Sequence, residues 1–306
     1  MIVASIDIGT NTVLLLIAKV NKLTGKIIPL INEYRMPRIG QGIKQTGIIS
    51  NGKLALLYDV LSEYDKIIRK HECEKIIVSG TNAFRIAGNT SDIIREIKNK
   101  FNYDLNVISG EEEAEYAYLG AISNINSSTE LAVIDIGGSS TEIIYGTDFN
   151  IISKKSLQLG SVTGTENFLI TAPPKESEII KFKDEILKLF STINMKFIPE
   201  QIIAIAGTAT TLACMKSGLR EFQEDKVDNS VITIREIEHI IKVLMQLNPA
   251  EILNKFGPVM LGREDIIFAG AFILYQFMKY FGIKNVIVST RGIRYGAIIK
   301  YIKSSN

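Results

Sequence analysis

Cysteine, histidine and long apolar runs are scarce in this chain, and each scarcity excludes a class of protein. The 306 residues include two cysteines, Cys73 and Cys214, and two histidines, His71 and His239. The cysteines lack the paired spacing of a zinc site or a disulfide framework, so we expect a reducing compartment, the cytoplasm. The histidines are far apart and have no partnering motif, so histidine catalysis is not supported.

The apolar runs are too short to cross a membrane. The longest, at residues 13–18 and 266–278, fall short of the roughly 20 residues that a spanning helix needs. They predict a buried strand and a buried helix. The first residues lead directly into a predicted strand, without the features of a secretory signal peptide. We therefore expect no membrane partner.

Strong charge and common nucleophile motifs are also missing. The formal net charge is +2, with 22% charged and 46% hydrophobic residues, which is typical of a globular protein and gives no field for nucleic-acid binding. No Gly-x-Ser-x-Gly elbow and no Gly-x-x-x-x-Gly-Lys-Ser/Thr loop occurs, which excludes serine-nucleophile and Walker-type mechanisms.

A phosphate-loop pattern is present twice, as Ser-Ile-Asp-Ile-Gly-Thr-Asn-Thr at 5–12 and Val-Ile-Asp-Ile-Gly-Gly-Ser-Ser-Thr-Glu at 133–142. In each copy an apolar strand ends in an acid and is followed by glycine and hydroxyl residues. Glycine lets main-chain N–H groups approach phosphate oxygens, and hydroxyls add donors. Ordinary turn chemistry is the alternative, and two matching copies disfavour it. The predicted phosphate ligands are Gly9, Thr10, Asn11, Thr12, Gly137, Gly138, Ser139, Ser140 and Thr141.

The acidic residues of these loops suggest a metal. A carboxylate at a strand end, as at Asp7 and Asp135, repels phosphate, so its expected task is to hold a divalent cation or to position a water. Capping of a neighbouring backbone is the alternative. A third loop, Ala-Ile-Ala-Gly-Thr-Ala-Thr-Thr at 204–211, follows a predicted strand and opens a helix. Gly207 and Thr208 are therefore candidate anion ligands or, alternatively, a helix cap with its first turn.

Alternating strand and helix patterns predict an α/β protein with an internal duplication. The segment 123–130 has linker composition and divides the chain into domains at 1–122 and 123–306, with a final helix at 293–306 that could pack back on the first domain. Strands are predicted at 2–7, 12–20, 26–33, 75–79, 104–108, 131–136, 141–146, 149–155, 202–206 and 284–289. Helices are predicted at 51–72, 82–86, 91–101, 111–124, 175–193, 208–216, 233–244, 248–253, 263–282 and 292–303.

Three further segments carry a family resemblance: Thr-Asn-Ala-Phe-Arg at 81–85, Ile-Ser-Gly-Glu-Glu-Glu-Ala at 108–114 and Ser-Thr-Arg-Gly-Ile-Arg-Tyr-Gly at 289–296. With the loops, they resemble the exopolyphosphatase and guanosine pentaphosphate phosphohydrolase (Ppx/GppA) family of the actin, sugar-kinase and heat-shock-chaperone ATPase superfamily. The resemblance extends from residue 1 to about residue 303. It implies two actin-like (ribonuclease H-like) α/β domains with a substrate cleft between them. Longer members of the family carry a further helical C-terminal portion, which we do not expect here.

The resemblance implies roles for particular residues. Glu113 would be the base that activates water, although a first-turn glutamate is also favoured by the helix dipole alone. Arg85 would grip phosphate oxygens, with a surface salt bridge as the alternative. Asp135 and Glu142 would hold Mg²⁺, and Asp7 would have the matching role in the first loop.

Other residues are assigned weaker or structural roles. Arg263, Arg291 and Arg294 are weaker candidates for further substrate contacts. Ser109 and Glu112 have the spacing of a capping box, so Glu112 is expected to be structural. The family has a third glycine where this chain has Ser139, which would cost about 1 kcal/mol if that position needed a positive φ.

These roles imply hydrolysis of a terminal phosphoanhydride, in inorganic polyphosphate or in guanosine pentaphosphate, which would become the tetraphosphate. Mg²⁺ is the expected cofactor, and the family allows a homodimer. Two other functions stay open: an ATP-dependent small-molecule kinase of the same superfamily, and a nucleotide-binding sensor without turnover.

Overall fold

A computed structural model of the chain describes residues 1–123, 130–148, 150–193, 199 and 201–304. Most of the predicted linker at 123–130, the last residue of the helix predicted at 111–124, the first residue of the strand predicted at 149–155 and residues 305–306 lie outside the described residues. The chain divides into two compact units: residues 1–123 with 292–306, and residues 124–291.

The first unit is a five-stranded sheet with helices on both faces. Its sheet order is β3-β2-β1-β4-β5, in which β1, β4 and β5 run parallel. The strands are β1 (Ile2–Ile8), β2 (Val13–Val20), β3 (Ile27–Arg35), β4 (Lys75–Gly80) and β5 (Leu105–Val107). The helices are α1 (Ile43–Thr46), α2 (Asn51–Lys70), α3 (Asn82–Ile86), α4 (Thr90–Phe101) and α5 (Gly110–Ile122).

The second unit contains a six-stranded sheet of order β10-β11-β9-β6-β7-β8. Its strands are β6 (Glu130–Ile136), β7 (Thr141–Thr147), β8 (Asn150–Leu157), β9 (Gln201–Ile205), β10 (Val231–Thr233) and β11 (Asn285–Val288). Its helices are α6 (Ser161–Phe168), α7 (Glu176–Phe190), α8 (Ala206–Lys216), α9 (Glu224–Val227), α10 (Ile234–Leu244), α11 (Pro249–Phe256) and α12 (Ile267–Tyr280), with a 3₁₀ helix at Pro258–Met260. Helix α13 (Ile293–Ser304) follows β11.

The two sheets repeat one plan. In each, an antiparallel hairpin (β1–β2 or β6–β7) is extended by a third antiparallel strand on one side. On the other side a parallel strand follows, β4 beside β1 and β9 beside β6. The predicted α/β fold and the duplicated hairpins are therefore confirmed.

Alternate residues of strand β1 pack on opposite faces of the sheet, because successive side chains of a strand point to opposite sides. Ala4, Ile6 and Ile8 belong to a core that also holds residues of α2 and α4. Val3 belongs to a second core with residues of α13. Asp7 has the parity of Val3, so its carboxylate is on the α13 side of the sheet.

The final helix groups with the first unit, as the sequence analysis allowed, so the second unit ends at residue 291 rather than 306. Residues 292–306 belong to the first unit, because α13 packs against α5 through glycines. A Cβ on Gly120 would lie 2.0 Å from the carbonyl oxygen of Gly292, and a Cβ on Gly296 would lie 1.9 Å from that of Tyr116. Only glycine permits such close helix backbones.

Some short elements were not predicted: α1, α6, α9, β10 and the 3₁₀ turn. Helix α6 has the sequence Ser-Val-Thr-Gly-Thr-Glu-Asn-Phe, in which β-branched residues and glycine give poor helix propensity. The long apolar segment predicted as a buried helix is α12, whose side chains are mostly buried. No helix of the described residues is both long and apolar enough to span a bilayer.

Candidate functional site

The candidate residues of the first unit follow the strands of its parallel ladder. Asp7 is near the end of β1, Arg85 is in α3 directly after β4, and Glu113 is in the first turn of α5 after β5. Parallel strands place their carboxyl ends at one edge of a sheet, where α/β proteins bind ligands. The topology therefore brings together three residues that are far apart in sequence.

Arg85 and Glu113 form an ion pair. Arg85 Nη1 donates to Glu113 Oε2 over 2.6 Å and to the carbonyl oxygen of Ile108 over 3.0 Å. The two side chains are only 23% and 12% exposed. Burial raises the pKa of Glu113, and the Arg85 guanidinium opposes this shift. The pair is therefore not the surface salt bridge considered from the sequence, since it fixes a desolvated carboxylate in one position.

The capping box at the start of α5 is confirmed. Ser109 Oγ accepts from the Glu112 main-chain N–H at 3.1 Å, and Glu112 Oε2 accepts from the Ser109 N–H at 2.8 Å. Glu112 is exposed, whereas the neighbouring Glu113 is buried. Glu112 alone completes this cap, so the burial of Glu113 has no role in capping the start of the helix.

Asp7 is a buried carboxylate with an incomplete set of partners. It is 7% exposed, and its Oδ1 has no hydrogen-bond partner among the described residues. Burial raises its pKa to about 7, the Glu113 carboxylate raises the pKa as well, and the Arg294 guanidinium lowers it. A buried, ionised carboxylate is stable only when a cation or an ordered water compensates it. The position of Asp7 therefore fits its predicted role as a metal ligand.

The first loop is a closed turn that a second segment braces. The N–H of Gly9 donates to Thr12 O at 2.9 Å, so the prediction that Gly9 offers this group to phosphate is corrected. The N–H groups of Arg38 and Gly40 donate to the carbonyls of Asn11 (3.1 Å) and Thr10 (2.8 Å). The side chain of Asn11 is buried. Main-chain groups at 10–12 therefore stay the candidate phosphate donors of this loop.

The bracing segment, residues 36–42, was missed by our sequence interpretation. A Cβ on Gly40 would lie 2.0 Å from Thr10 Cγ2, so the loop and the segment fit only with glycine there. The Gly-Gln-Gly pattern at 40–42, after Pro37 and Arg38, was the available signal.

Asp135 and Glu142 lie directly opposite each other on the antiparallel strands β6 and β7. Both are buried, at 7% and 3% exposure, and Glu142 Oε1 accepts from Ser156 Oγ at 2.8 Å. Facing like charges are unfavourable in a sheet, and a cation between them would remove the repulsion. In the first unit Asp7 is opposite Leu14, so the acidic pair is specific to the second unit.

The second loop repeats the closed turn of the first. The N–H of Gly137 donates to Ser140 O at 3.0 Å, which again corrects the predicted use of this glycine amide. Ser139 does not have a positive φ, so the substitution of the family's glycine costs no left-handed strain. Thr141 Oγ1 donates to Leu159 O at 2.6 Å, and this hydroxyl is therefore structural rather than a phosphate donor.

The first residues of helix α6 form hydrogen bonds with the second loop. The N–H groups of Ser161 and Val162 donate to the carbonyls of Gly137 (2.9 Å) and Gly138 (2.7 Å). A Cβ on Gly160 would lie 2.6 Å from Gly137 O. The start of α6 thus fixes the carbonyls of Gly137 and Gly138. The amides of Gly138, Ser139 and Ser140 stay the candidate phosphate donors.

The third loop is confirmed as a strand-to-helix junction between β9 and α8. Ala206 has a φ of 65°, a conformation that costs an alanine energy and is common at functional sites. The Arg263 guanidinium packs against Gly207, where a Cβ would lie 1.7 Å from Nη1. The hydroxyl of Thr208 donates to Ile136 O at 3.2 Å, so only its main-chain N–H fits the predicted anion role.

Arg291 and Arg294 differ in position. Arg291 follows β11, and its N–H donates to Ser289 Oγ at 3.2 Å. It shares the carboxyl edge of the second sheet with the second and third loops, and its contact with substrate stays a prediction. Arg294 is buried in the first unit and donates to Leu15 O at 3.0 Å. The burial of Arg294 therefore argues against its predicted contact with substrate.

Comparison with known proteins identifies the family. Residues 16–305 match the model of the Ppx/GppA phosphatase family. The chain belongs to the Ppx/GppA phosphatase family. A crystal structure of the Aquifex aeolicus Ppx/GppA family member superposes with a TM-score of 0.86 at 30% identity and covers 100% of this chain and 99% of that one. The resemblance to the family and the predicted α/β fold are thereby confirmed.

Curated Ppx/GppA relatives differ in length. Exopolyphosphatase 2 of Mycobacterium tuberculosis is 26% identical over 307 residues, which are 95% of each chain. A bifunctional 3-dehydroquinate synthase/phosphatase of Fusobacterium nucleatum is 29% identical over 98% of this chain, which spans 46% of that protein. A guanosine-5'-triphosphate,3'-diphosphate pyrophosphatase of Aliivibrio fischeri is 25% identical over 96% of this chain, which spans 58% of that protein. The chain thus spans about half the length of two of these relatives.

Proposed function

We propose that this Ppx/GppA family member hydrolyses the terminal phosphoanhydride bond of a phosphate chain, inorganic polyphosphate or guanosine pentaphosphate. The relatives named exopolyphosphatase and guanosine-5'-triphosphate,3'-diphosphate pyrophosphatase support this class of reaction. The observation that carries the proposal is the Arg85–Glu113 pair, a desolvated carboxylate fixed at the carboxyl ends of the parallel strands β1, β4 and β5.

Glu113 is the proposed general base. Its carboxylate accepts a proton from a water molecule as the water oxygen attacks the terminal phosphorus in line with the leaving oxygen. The bond between that phosphorus and the bridging oxygen breaks. The products are orthophosphate and a chain shorter by one phosphate. Arg85 is proposed as a positioning residue, in place of the phosphate contact expected from the sequence, since it holds Glu113 and opposes the rise of the Glu113 pKa that burial causes.

The loops supply binding. Main-chain amides at 10–12 and at 138–140 are the proposed donors to phosphate oxygens, and the start of α8 adds the amides of Gly207 and Thr208. Arg263 and Arg291 are proposed to contact more distant phosphates. Because backbone amides keep their positions during the reaction, they can stabilise charge without reorganisation.

Two buried acids fit a divalent cation. Asp135 and Glu142 face each other in the strand register, and Asp7 has a buried oxygen without a donor among the described residues. Among the described residues, no group of three or more His, Cys, Asp or Glu side chains could hold a metal ion without other ligands. We propose that Asp135 and Glu142 would hold Mg²⁺ together with substrate and water oxygens, with Asp7 in the matching role in the first unit. When bound, Mg²⁺ neutralises charge on the phosphates.

Release of orthophosphate without an acceptor tests this proposal against the two alternatives. The purified protein would be offered long polyphosphate, tripolyphosphate, guanosine pentaphosphate and ATP, each with Mg²⁺ or with chelator. We expect release from at least one of the first three, and the preferred one identifies the substrate. Bound substrate without release would favour a sensor, and transfer that requires an added acceptor would favour a kinase. The homodimer and the cytoplasmic location stay predictions.

A further inference from the structure

Positive charge collects beside the first loop, at Arg38 and Lys53. Arg38 belongs to the bracing segment, and its N–H donates to Asn11 O of the loop at 3.1 Å. Lys53 is in α2, and its Nζ donates to Pro37 O at 3.3 Å. Because Pro37 directly precedes Arg38, both cations are tied to the segment that contacts the loop. Neither residue belonged to the sequence motifs discussed above.

The position of Lys53 is electrostatically unfavourable in the protein by itself. It is in the first turn of α2, a turn without acidic residues, where the helix dipole disfavours a cation. Partial burial and the Arg38 charge both lower the pKa of Lys53. No carboxylate pairs with Lys53 in the described part of the chain. The helix dipole, partial burial and the Arg38 charge therefore all disfavour the charge of this one ammonium group.

Nearby Arg35 shows the ordinary arrangement for a basic residue. It forms ion pairs with Glu33, at 3.0 Å, and with Glu63. Its charge is thus compensated within the protein. The contrast indicates that the partner of Lys53 is a negative charge of a bound ligand, since the described part of the protein provides none.

Arg38 adds a conformational argument. Its φ is 52°, a left-handed conformation that is uncommon for a long side chain. The two main-chain hydrogen bonds of Arg38 and Gly40 to the loop hold it there. Such conformations persist where the surrounding structure imposes them, and they cluster at ligand sites.

We propose that Lys53 and Arg38 form a second anion subsite, which binds a substrate phosphate adjacent to the one held by the first loop. This inference rests on the proposed function and specifies the substrate as a chain of several phosphates rather than a phosphate monoester. A lysine supplies a compact charge and an arginine a planar fork, and both suit phosphate oxygens. In this proposal a single orthophosphate occupies the first loop alone, whereas a phosphate chain also occupies the second subsite.

Binding in the absence of turnover tests the subsite. Titration calorimetry on the Glu113→Gln protein would use orthophosphate, tripolyphosphate and guanosine pentaphosphate as probes, with and without Lys53→Gln. We expect Lys53→Gln to weaken tripolyphosphate binding about tenfold, the loss of one charge-assisted contact, and orthophosphate binding less than twofold. Lys53→Arg should restore most of the affinity, and Arg38→Gln should repeat the selective loss.

Lys66→Gln is the matched control, because Lys66 is an exposed lysine of the same helix. Equal losses for all three probes, or no loss for tripolyphosphate in a variant that melts like the parent, would overturn the subsite. Loss with tripolyphosphate but not with guanosine pentaphosphate would assign it to inorganic chains, and loss with both to any phosphate chain. If the wild-type protein hydrolyses none of the substrates, the proposed function fails while this binding comparison still decides the subsite.

Discussion

Arg85 Nη1 donates to Glu113 Oε2 over 2.6 Å, although the two residues are 28 positions apart and belong to different helices. The same nitrogen donates to Ile108 O at 3.0 Å, which anchors the guanidinium to the segment just before α5. The arginine thus links the helix after β4 to the helix after β5. It holds the candidate base and opposes the rise of its pKa that burial causes.

The Arg85 charge should determine the acid limb of the pH–rate profile. Glu113 acts when ionised, so activity is present above its pKa and is lost as pH falls through it. Arg85 lowers this pKa, so Arg85→Gln should raise it and move the acid limb to higher pH by about one unit or more. Initial rates of orthophosphate release, measured between about pH 4 and about pH 9, give the shift, because this range covers the titration of a carboxylate with a raised pKa.

Arg85→Lys is the control for charge without the planar fork. It should leave the acid limb nearer to that of the wild type and lower the rate, because lysine cannot donate to Glu113 and Ile108 in the same geometry. An unchanged acid limb in Arg85→Gln would show that Arg85 does not control the base.

The facing acids should make the cation a stabiliser of the fold. Without metal, Asp135→Asn should leave stability equal or raise it by up to about 1 kcal/mol, because it removes a like-charge contact. With Mg²⁺ at about 100 times its dissociation constant, the wild type should gain about 2.7 kcal/mol and the variant little. Thermal melting with and without Mg²⁺ measures this difference.

Glu142→Gln should repeat this pattern, and Glu130→Gln, at the other end of β6, serves as the control. If Mg²⁺ raises the melting temperature of Asp135→Asn as much as that of the wild type, these acids do not hold the cation.

The second loop should tolerate no side chain at position 160. A Cβ there would lie 2.6 Å from Gly137 O and 2.7 Å from the carbonyl carbon of Gly138, and these are backbone atoms that move only with the loop. Gly160→Ala should cost about 1–3 kcal/mol and should weaken phosphate binding. Chemical denaturation and orthophosphate titration measure both effects.

Gly52→Ala is the matched control, since a Cβ at this helical glycine meets no atom within 4 Å. It should raise stability by up to about 1 kcal/mol, because alanine restricts the unfolded chain. A neutral Gly160→Ala would mean that α6 does not fix the loop.

Local sequence predicted the hairpins and the long helices because their signals are local. The runs of β-branched residues around Asp7 and Asp135 define strands, and the Ser109–Glu112 spacing defines the start of α5. Helix α6 could not be predicted in this way, since its stability comes from hydrogen bonds to Gly137 and Gly138 and not from its own propensities.

The candidate site was predicted in its residues but not in its contacts. The pairing of Arg85 with Glu113 depends on the order of β4 and β5 in the sheet, which no local pattern encodes. The Gly9 and Gly137 amides were assigned to phosphate, whereas each closes its own turn. The assignment of α13 to the first unit depends on the fit of Gly120 against Gly292, which is also a tertiary property.

The comparison of the adjacent residues Glu112 and Glu113 is the most direct test of the central claim, that Glu113 is the base of a phosphoanhydride hydrolase. Orthophosphate release from the preferred substrate would be measured for the wild type, Glu113→Gln and Glu112→Gln. We predict that Glu113→Gln lowers kcat on the order of 10²- to 10⁴-fold with substrate binding retained. Glu112→Gln should keep the wild-type rate and lose at most about 1 kcal/mol of stability at the helix cap. Equal rates for Glu113→Gln and Glu112→Gln would contradict the account.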